Sequence, residues 1–242
     1  MAFDAKITRP GGSAVSIKDY AYIASFDGLW APPPYRGEDT RVPSRRGGLY
    51  AAQEYDTYTF PIHLELLGSS QADYQDKLAS LRALAESSRA AVTFTRVHPT
   101  GAGDTTQTCS ARCRLSEPGS RNGLLNGRVS LEVTNFDGCW YGAAVAPAIP
   151  ATITVGGTAP TNRMTLVLPG AGTLTNTTLG VSVTVTAAAT LTVQTKATTG
   201  TYGDVVASGD PFGNWFAYAP GSNTVTWSGA GTPTTSHSPA FL

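Results

Sequence analysis

The strongest constraint on the fold of this chain is a two-residue alternation of apolar and polar side chains, which recurs in many short runs. In the C-terminal part these runs are ATITV, RMTLVL, GVSVTVT, TLTVQT, NWFAY and NTVTW, separated by turn residues. Successive side chains of a strand point to opposite faces, so this period is typical of half-buried β-strands. Threonine suits their outer faces because it is β-branched and uncharged. The pattern predicts a C-terminal β-sandwich.

The N-terminal part alternates in the same way. The strands predicted there are 17–26, 57–66, 92–95, 109–115 and 129–133. Pro61 has no N–H to donate to a ladder, so 57–66 is expected at a sheet edge. The glycine-bearing segments 98–107 and 116–127 are predicted hairpin loops, and 27–52, which contains three consecutive prolines, is predicted to have no regular structure.

One N-terminal segment has helical periodicity instead. Ser70 is a suitable N-cap, with Asp73 three residues later, at the start of QADYQDKLASLRALAESS. Its apolar residues at helical spacing are Tyr74, Leu78, Leu81 and Ala85. They predict one amphipathic helix that covers a sheet. The expected fold class is therefore mainly β, with an antiparallel N-terminal domain that contains one helix, followed by a C-terminal sandwich.

A change of composition after Tyr141 divides the 242-residue chain. The Ala/Pro tract 143–150 is typical of an extended connection, and only four charged residues follow it. Such a break indicates a domain boundary. We expect an N-terminal domain over 1–145 and a C-terminal domain over 146–242.

Charge and cysteine content argue against several classes of protein. The formal net charge is zero without a dense Lys/Arg block, which favours neither nucleic acid nor an anionic membrane as a partner. No signal peptide and no membrane span of about 18 apolar residues is recognisable, so synthesis in a cytoplasm is expected. Cys109 and Cys113 would lie about 13 Å apart on one strand, beyond disulfide reach, and are predicted core residues.

Candidate catalytic and metal-binding residues are scarce. The histidines, His63, His98 and His237, show no metal-ligand spacing, and no serine-nucleophile or phosphate-loop signature occurs. The stretch 135–142, NFDGCWYG, places Cys139 beside aromatic residues and a carboxylate, but no histidine is near to activate the thiol. It is predicted to be the turn that ends the first domain. We expect no catalytic residue, cofactor or metal.

The most basic stretch, 41–48 or RVPSRRGG, is a candidate subunit interface. Arginine is enriched at interfaces because its planar guanidinium can bind a carboxylate through two hydrogen bonds. Arg41, Arg45 and Arg46 are therefore the predicted residues of an inter-subunit or partner contact, and the alternative is a solvated cluster of charges.

An aromatic group near the C-terminus is a candidate carbohydrate contact. The predicted contact residues are Trp215, Tyr218 and Trp227. By alternation Phe216 and Tyr218 share one strand face, so part of the group is expected to belong to the core.

The order of these features resembles the distal tail proteins of siphovirus-type bacteriophages. The segments that carry the resemblance are RVPSRRGGLY, YTFPIHLELLG, QADYQDKLASLRAL, the later strands, CWYG and PGSNTVTW. The resemblance implies a virion protein whose N-terminal domain forms a homohexameric ring, with 41–48 in its ring-forming belt, and joins the tail tube to the tip or baseplate. It also implies a galectin-like C-terminal sandwich that in some relatives carries receptor-binding proteins or binds host saccharide.

The partners so implied are other copies of the chain, the tail tube protein and a tail-tip fibre or lysin protein, and the implied role is not enzymatic. Three alternatives stay open at this point. They are a carbohydrate-binding adhesin that acts through 151–242, a tail tube protein with an appended β-sandwich, and a tail-associated cell-wall hydrolase.

Overall fold

A computed structural model of the protein describes most of the chain. The described residues are 3–25, 29, 34–36, 40–41, 48–49, 54–86, 90–100, 103–116, 120–121, 125–147, 149, 151–194, 197–199, 205–208 and 216–242. They divide into two compact units, Met1–Trp140 together with Leu242, and Tyr141–Phe241. Both units consist mainly of antiparallel strands, and the single α-helix of the described part lies in the first. The mainly β fold class is confirmed.

The first unit is a large antiparallel sheet with a helix. Its elements are β1 (Asp4–Thr8), β2 (Ala14–Ser16), a 3-10 helix (Ile17–Asp19), β3 (Tyr22–Ser25), β4 (Tyr35–Arg36), β5 (Thr40–Arg41), β6 (Gly48–Leu49), β7 (Glu54–Tyr55), β8 (Tyr58–Leu67), α1 (Gln71–Glu86), β9 (Val92–Thr100), β10 (Gly103–Leu115), β11 (Ser120–Arg121) and β12 (Asn126–Asn135). The main strand order is β2-β1-β9-β10-β12-β8-β3, and β11 pairs with β12. The two-residue strand β13 (Trp140–Tyr141) follows, with Trp140 in the first unit and Tyr141 in the second.

The core of this unit lies on the inward face of the sheet. The inward residues of β8, β10 and β12 that are almost fully buried are Phe60, Ile62, Leu64, Leu66, Cys109, Ala111, Cys113, Val129, Leu131 and Val133. Helix α1 packs against β8 and β10. All three cysteines of the chain are buried and free, so the assignment of Cys109 and Cys113 to the core is confirmed.

Helix α1 begins as its sequence predicts. The Ser70 hydroxyl accepts a hydrogen bond from the Asp73 backbone N–H at 3.1 Å, the arrangement of an N-cap. The Asp73 carboxylate accepts the backbone N–H of Ser69 at 2.7 Å, which, together with Lys77, lowers the pKa of that carboxyl. The predicted apolar stripe is buried, and Leu84 also belongs to it.

Two predicted strands of the first unit differ from the observed ones. Residues 17–19 form a 3-10 helix, because the Ser16 side chain accepts the N–H of Lys18 and caps a turn there. Strand β8 is not a sheet edge, because β3 pairs with it opposite His63, Leu64 and Glu65. Pro61 lies outside that short pairing, where its missing N–H costs no hydrogen bond to β3.

The predicted loops also contain paired backbone. Strands β9 and β10 extend the hairpin far into 98–107, since Thr105 pairs with His98 and Gly103 with Thr100. Within 116–127, β11 pairs with the start of β12. Composition alone could not predict these strand pairings, because threonine, glycine and proline are common both in hairpin loops and at twisted strand ends.

The second unit is a two-sheet sandwich. Its strands are β14 (Ala151–Val155), β15 (Met164–Leu168), β16 (Gly172–Asn176), β17 (Val181–Val185), β18 (Ala189–Thr192), β19 (Ala197–Thr199), β20 (Val205–Ser208), β21 (Gly221–Trp227), β22 (Thr234–His237) and β23 (Ala240–Phe241). One sheet has the order β14-β21-β16-β17-β20 and the other β19-β18-β15-β22. Buried residues from both sheets form one apolar core. Of the predicted strand 214–218, the described residues contain only an isolated bridge between Tyr218 and Thr161.

Candidate functional site

Residues 34–56, here called the hairpin arm, contain the predicted interface segment. Strand β4 pairs with β7 and β5 pairs with β6, both antiparallel. The prediction that 27–52 lacks regular structure is therefore wrong for β4, β5 and β6. Arg41 pairs through its backbone with Gly48, and 42–47 connects the two strands. Arg45 and Arg46 lie outside the described residues, as does the side chain of Arg41. Their role at a subunit interface stays a prediction.

The base of the hairpin arm is closed by a backbone hydrogen bond. The N–H of Asp56 donates to the carbonyl of Pro34 at 3.0 Å. Leu29, five residues before Pro34, is fully buried. Strand β8 begins two residues after Asp56, at Tyr58. The arm therefore starts and ends close to the core of the first unit.

Arg96 is a charged residue on the inward face of β9, and only 2% of its surface is exposed. Its Nη1 donates to the Leu29 carbonyl at 2.5 Å, and its Nε donates to Gln107 Oε1 at 2.7 Å. The guanidinium carbon lies 4.1 Å from the ring centroid of Trp140, which is a cation–π contact. Burial lowers the pKa of Arg96 to about 10, so the side chain is still charged at neutral pH.

Trp140 contacts both Arg96 and Tyr58, the residue at which β8 begins after the arm. Its indole Nε1 donates to the Tyr58 hydroxyl at 2.9 Å. Its ring packs edge-on against Phe94 at a centroid distance of 6.1 Å and is fully buried. Burial raises the pKa of the Tyr58 hydroxyl, which stays protonated at neutral pH.

The NFDGCWYG stretch forms a hydrogen-bonded turn after β12. Asn135 Oδ1 accepts the N–H of Asp137 at 2.9 Å, and Asn135 Nδ2 donates to the Cys139 carbonyl at 3.2 Å. The Asp137 carboxylate accepts the N–H of Ser110 at 2.6 Å. Gly138 takes the left-handed conformation, with φ 67°, that reverses the chain. The polar groups of the stretch hold the turn together, so the predicted turn at Asp137 and Gly138 is observed, and its place at the end of a domain stays a prediction.

The aromatic group of the second unit is largely interior. Phe216 and Tyr218 are fully buried and pack edge-on, with ring centroids 5.5 Å apart. Tyr218 has no exposed face for a sugar, so the structure contradicts its assignment as a carbohydrate contact. Burial raises the pKa of its hydroxyl to about 12. Trp215 lies outside the described residues.

Trp227 is partly buried and has a packing role. A Cβ at Gly172 or at Gly229 would lie only 2.7 or 2.4 Å from atoms of its ring, so the indole covers the backbone of both glycines. Its Nε1 donates to the carbonyl of Ala230 at 3.3 Å. A carbohydrate contact at Trp227 stays a prediction.

The histidines of the described part make structural contacts. His63 Nδ1 lies 2.7 Å from the Ser130 hydroxyl across the β8–β12 ladder. His237 is buried against Tyr218, at a ring centroid distance of 5.0 Å, and burial lowers its pKa. The side chain of His98 is outside the described residues. Among the residues that the structure describes, no group of three or more His, Cys, Asp or Glu side chains is placed to hold a metal ion.

The sequence analysis did not single out Arg96 and Gln107, although the alternation of β9 and β10 could have revealed them. Val92, Phe94 and Arg96 occupy the same inward row, so a charged side chain stands where the pattern requires an apolar one. Gln107, a polar side chain opposite Arg96 in the ladder, is buried as well. A polar pair at two inward positions is a signal of a specific internal contact.

No helix of the described residues has the length and apolar character needed to cross a membrane.

No protein-family model and no curated protein matches the chain by sequence. Nine solved chains match it by structure.

The structural matches include proteins of phage adsorption apparatus. One is the crystal structure of the SPP1 Dit (gp 19.1) protein, described as a paradigm of the hub adsorption apparatus in Gram-positive infecting phages, with a TM-score of 0.68, 13% identity and full coverage of both chains. Two others are chains of the phage P2 baseplate in its activated conformation, with Ca or Sr, each with a TM-score of 0.48, at 11% and 10% identity, and coverage of 98% or more of both chains. The chain therefore shares the fold of the SPP1 Dit hub protein over its whole length, as the sequence resemblance led us to expect.

Proposed function

We propose that this chain is a structural protein of a phage tail tip, a hub that assembles with other tail proteins. The observation that carries the proposal is the similarity of fold to the SPP1 Dit hub protein, which spans both units and covers 100% of each chain. A likeness restricted to the sandwich would support only a general binding module. Because the match covers the residues of both units, the hub role is the better explanation.

The finer form of the proposal is a homohexameric ring that joins the tail tube to the tip or baseplate. Rings require head-to-tail contacts between copies, in which one surface meets a different surface on the neighbour. The hairpin arm is suited to such a contact, because β5 and β6 pair on either side of 42–47, a segment whose sequence contains two arginines. We assign the contact to Arg41, Arg45 and Arg46.

The oligomeric state of the purified chain tests the ring. Light scattering after size-exclusion chromatography is expected to give six copies, and negative-stain electron microscopy is expected to show sixfold rings. Replacement of Arg45 and Arg46 together by Glu is expected to dissociate the ring. The matched control replaces two exposed cations elsewhere, Lys18 and Arg82, by Glu with the same change of charge. A monomeric chain that is also absent from purified tails contradicts the proposal.

The proposed role includes no catalytic step. Zymography of the purified chain on host peptidoglycan is expected to show no clearing, whereas a cleared band would indicate a tail-associated hydrolase. Copy number in the virion distinguishes a hub, with a few copies per tail, from a tail tube protein, with many.

A further inference from the structure

Three polar atoms in the interior of the second unit have no hydrogen-bond partner among the described residues. They are the Tyr218 hydroxyl oxygen, the Thr235 hydroxyl oxygen and Nδ1 of His237. Each of these residues is at most 2% exposed. We propose that the three atoms together bind one internal water molecule, at a position here called the core water site. The site belongs to the sandwich alone and does not depend on the proposed ring.

The three atoms come together because two side chains of one strand face the same aromatic ring. Thr235 and His237 alternate along β22 with Ser236, so both point to the interior. The Tyr218 ring lies edge-on to the His237 ring, with 5.0 Å between the centroids. The Thr235 hydroxyl is near enough to Tyr218 to oppose the rise in its pKa, although the two hydroxyls make no hydrogen bond of ordinary geometry. All three polar atoms therefore lie in one small region of the interior.

The surroundings of this region make unpaired polar atoms costly. In the β15–β22 ladder Met164 pairs with His237 and Leu166 pairs with Thr235, and both apolar residues belong to the core. A polar group buried there loses its hydration, and buried polar groups in folded proteins are almost always bonded to the protein or to a water molecule. A water with about three polar partners is stable inside a protein, whereas a purely apolar cavity stays dry. The polar atoms therefore favour a bound water.

One water molecule can satisfy all three atoms. Burial lowers the pKa of His237, so its imidazole is neutral at neutral pH and one ring nitrogen has no proton. With the proton on Nε2, Nδ1 accepts a hydrogen bond from the water. The hydroxyls of Tyr218 and Thr235 each donate to the water oxygen. The water then makes three hydrogen bonds, which is the usual number for an internal water.

The core water site connects elements of the two sheets. Tyr218 lies in 216–220, the segment that leads into β21, and its backbone exchanges two hydrogen bonds with Thr161. Thr235 and His237 belong to β22. Strands β21 and β22 are in different sheets of the sandwich. A water held by Tyr218 and by both residues of β22 therefore helps to fix the segment before β21 against the opposite sheet.

Substitutions that keep the shape of the side chain test the site by the sign of their effect. Tyr218→Phe and Thr235→Val each remove one hydroxyl with little change of volume. With a bound water, each removes one of its partners, and the equilibrium constant for unfolding of the intact chain is expected to rise about tenfold. Without a bound water, each removes an unsatisfied buried atom, and the same constant falls. Urea denaturation monitored by circular dichroism measures the change.

The double variant and two matched controls sharpen this test. Because both hydroxyls bind the same water, the double variant is expected to lose less stability than the sum of the two single losses. The controls make the same chemical changes on the surface. They are Tyr22→Phe, at a side chain that is 71% exposed, and Thr165→Val, on the outward face of β15. Each control is expected to change the unfolding constant by no more than about twofold.

A crystal structure of the wild-type chain identifies the ligand directly. Electron density for one water within hydrogen-bond distance of all three atoms supports the core water site. Density for no water, or a direct hydrogen bond between the Tyr218 and Thr235 hydroxyls, overturns it. Single variants that are more stable than the wild type overturn it as well. If a variant does not fold, the wild-type density decides alone. None of these measurements depends on the oligomeric state, so they separate the core water site from the proposed ring.

Discussion

Trp140 stabilises the first unit through several contacts at once. Its ring is fully buried, it packs against Phe60 and Phe94, it lies under Arg96 and it donates to Tyr58. Removal of such a ring loses both the apolar transfer free energy and the contacts around the cavity that is left.

Replacement of Trp140 by Ala is therefore expected to lower the free energy of unfolding by about 3–5 kcal/mol, because a large aromatic side chain leaves a cavity. Urea denaturation monitored by circular dichroism measures this change. Phe136→Ala is the control, since Phe136 lies in the same turn but is 39% exposed, and its loss is expected to be below about 1 kcal/mol. Equal losses in the two variants would contradict the packing described for Trp140.

His237 is expected to make the second unit sensitive to mild acid. Burial lowers its pKa in the folded state below the ordinary value of 6.5, so the unfolded chain binds a proton at a higher pH than the folded chain does. Above about pH 6.5 His237 is neutral in both states and does not reduce the free energy of unfolding. Below that pH the free energy of unfolding falls as the pH decreases toward the lowered folded pKa. His237→Phe is expected to reduce this dependence.

Urea unfolding at several pH values between 7.5 and 5.5 measures the effect, in a range where most carboxyl groups remain ionised. The control is His63→Gln, because His63 is on the partly exposed face of β8 and bonds to Ser130. If the wild type and His237→Phe lose stability in parallel over this range, the burial of His237 does not govern the acid response.

At the scale of elements, α1 depends on its N-terminal cap. The Ser70 hydroxyl satisfies one of the N–H groups that have no partner within the helix. Ser70→Ala is expected to lower the free energy of unfolding by about 1 kcal/mol. Ser80→Ala, in the middle of the same helix, is expected to be neutral or slightly stabilising because alanine favours the helix interior. Denaturation of both variants in parallel gives the comparison, and a larger loss at Ser80 would contradict the assignment of the cap.

Elements with a strong local period could be predicted from the sequence, and elements defined by distant pairing could not. The stripe of α1 and the alternation of β8, β12, β15 and β17 report burial within one segment. The four strands of the hairpin arm have two residues each, which is too short to show any period. Their pairing depends on the partner strand rather than on local propensity.

In the candidate site, too, local features could be predicted from the sequence and contacts between distant residues could not. The basic composition of 41–48 is visible in the sequence, whereas the bond from Arg96 to Leu29 joins residues 67 positions apart. Tyr218 was misassigned because an aromatic side chain that packs in a core has the same local signature as one that stacks on a sugar. Only the opposing sheet of the sandwich shows which face is covered.

At the scale of the whole molecule, the domains 1–145 and 146–242 stay a prediction about independent folding. The fragment 146–242 contains all the strands from β14 to β23 and the apolar core that both sandwich sheets share. It is expected to unfold cooperatively on its own, with a β-type circular dichroism spectrum. The measurement is thermal unfolding of the fragment beside the full chain. A fragment without a cooperative transition would show that the sandwich requires the first unit.

The strand order of the sandwich also has a consequence for how the chain is made. Strand β14 pairs with β21, which is about 70 residues further along the chain, and β15 pairs first with β18 and then with the equally distant β22. During synthesis neither sheet is complete until β21 and β22 have left the ribosome. Strand β14 is then exposed without a partner and β15 has only one edge paired, which is the stage at which aggregation competes with folding. Yield of this protein should therefore depend on synthesis rate and temperature more than on the stability of the finished fold.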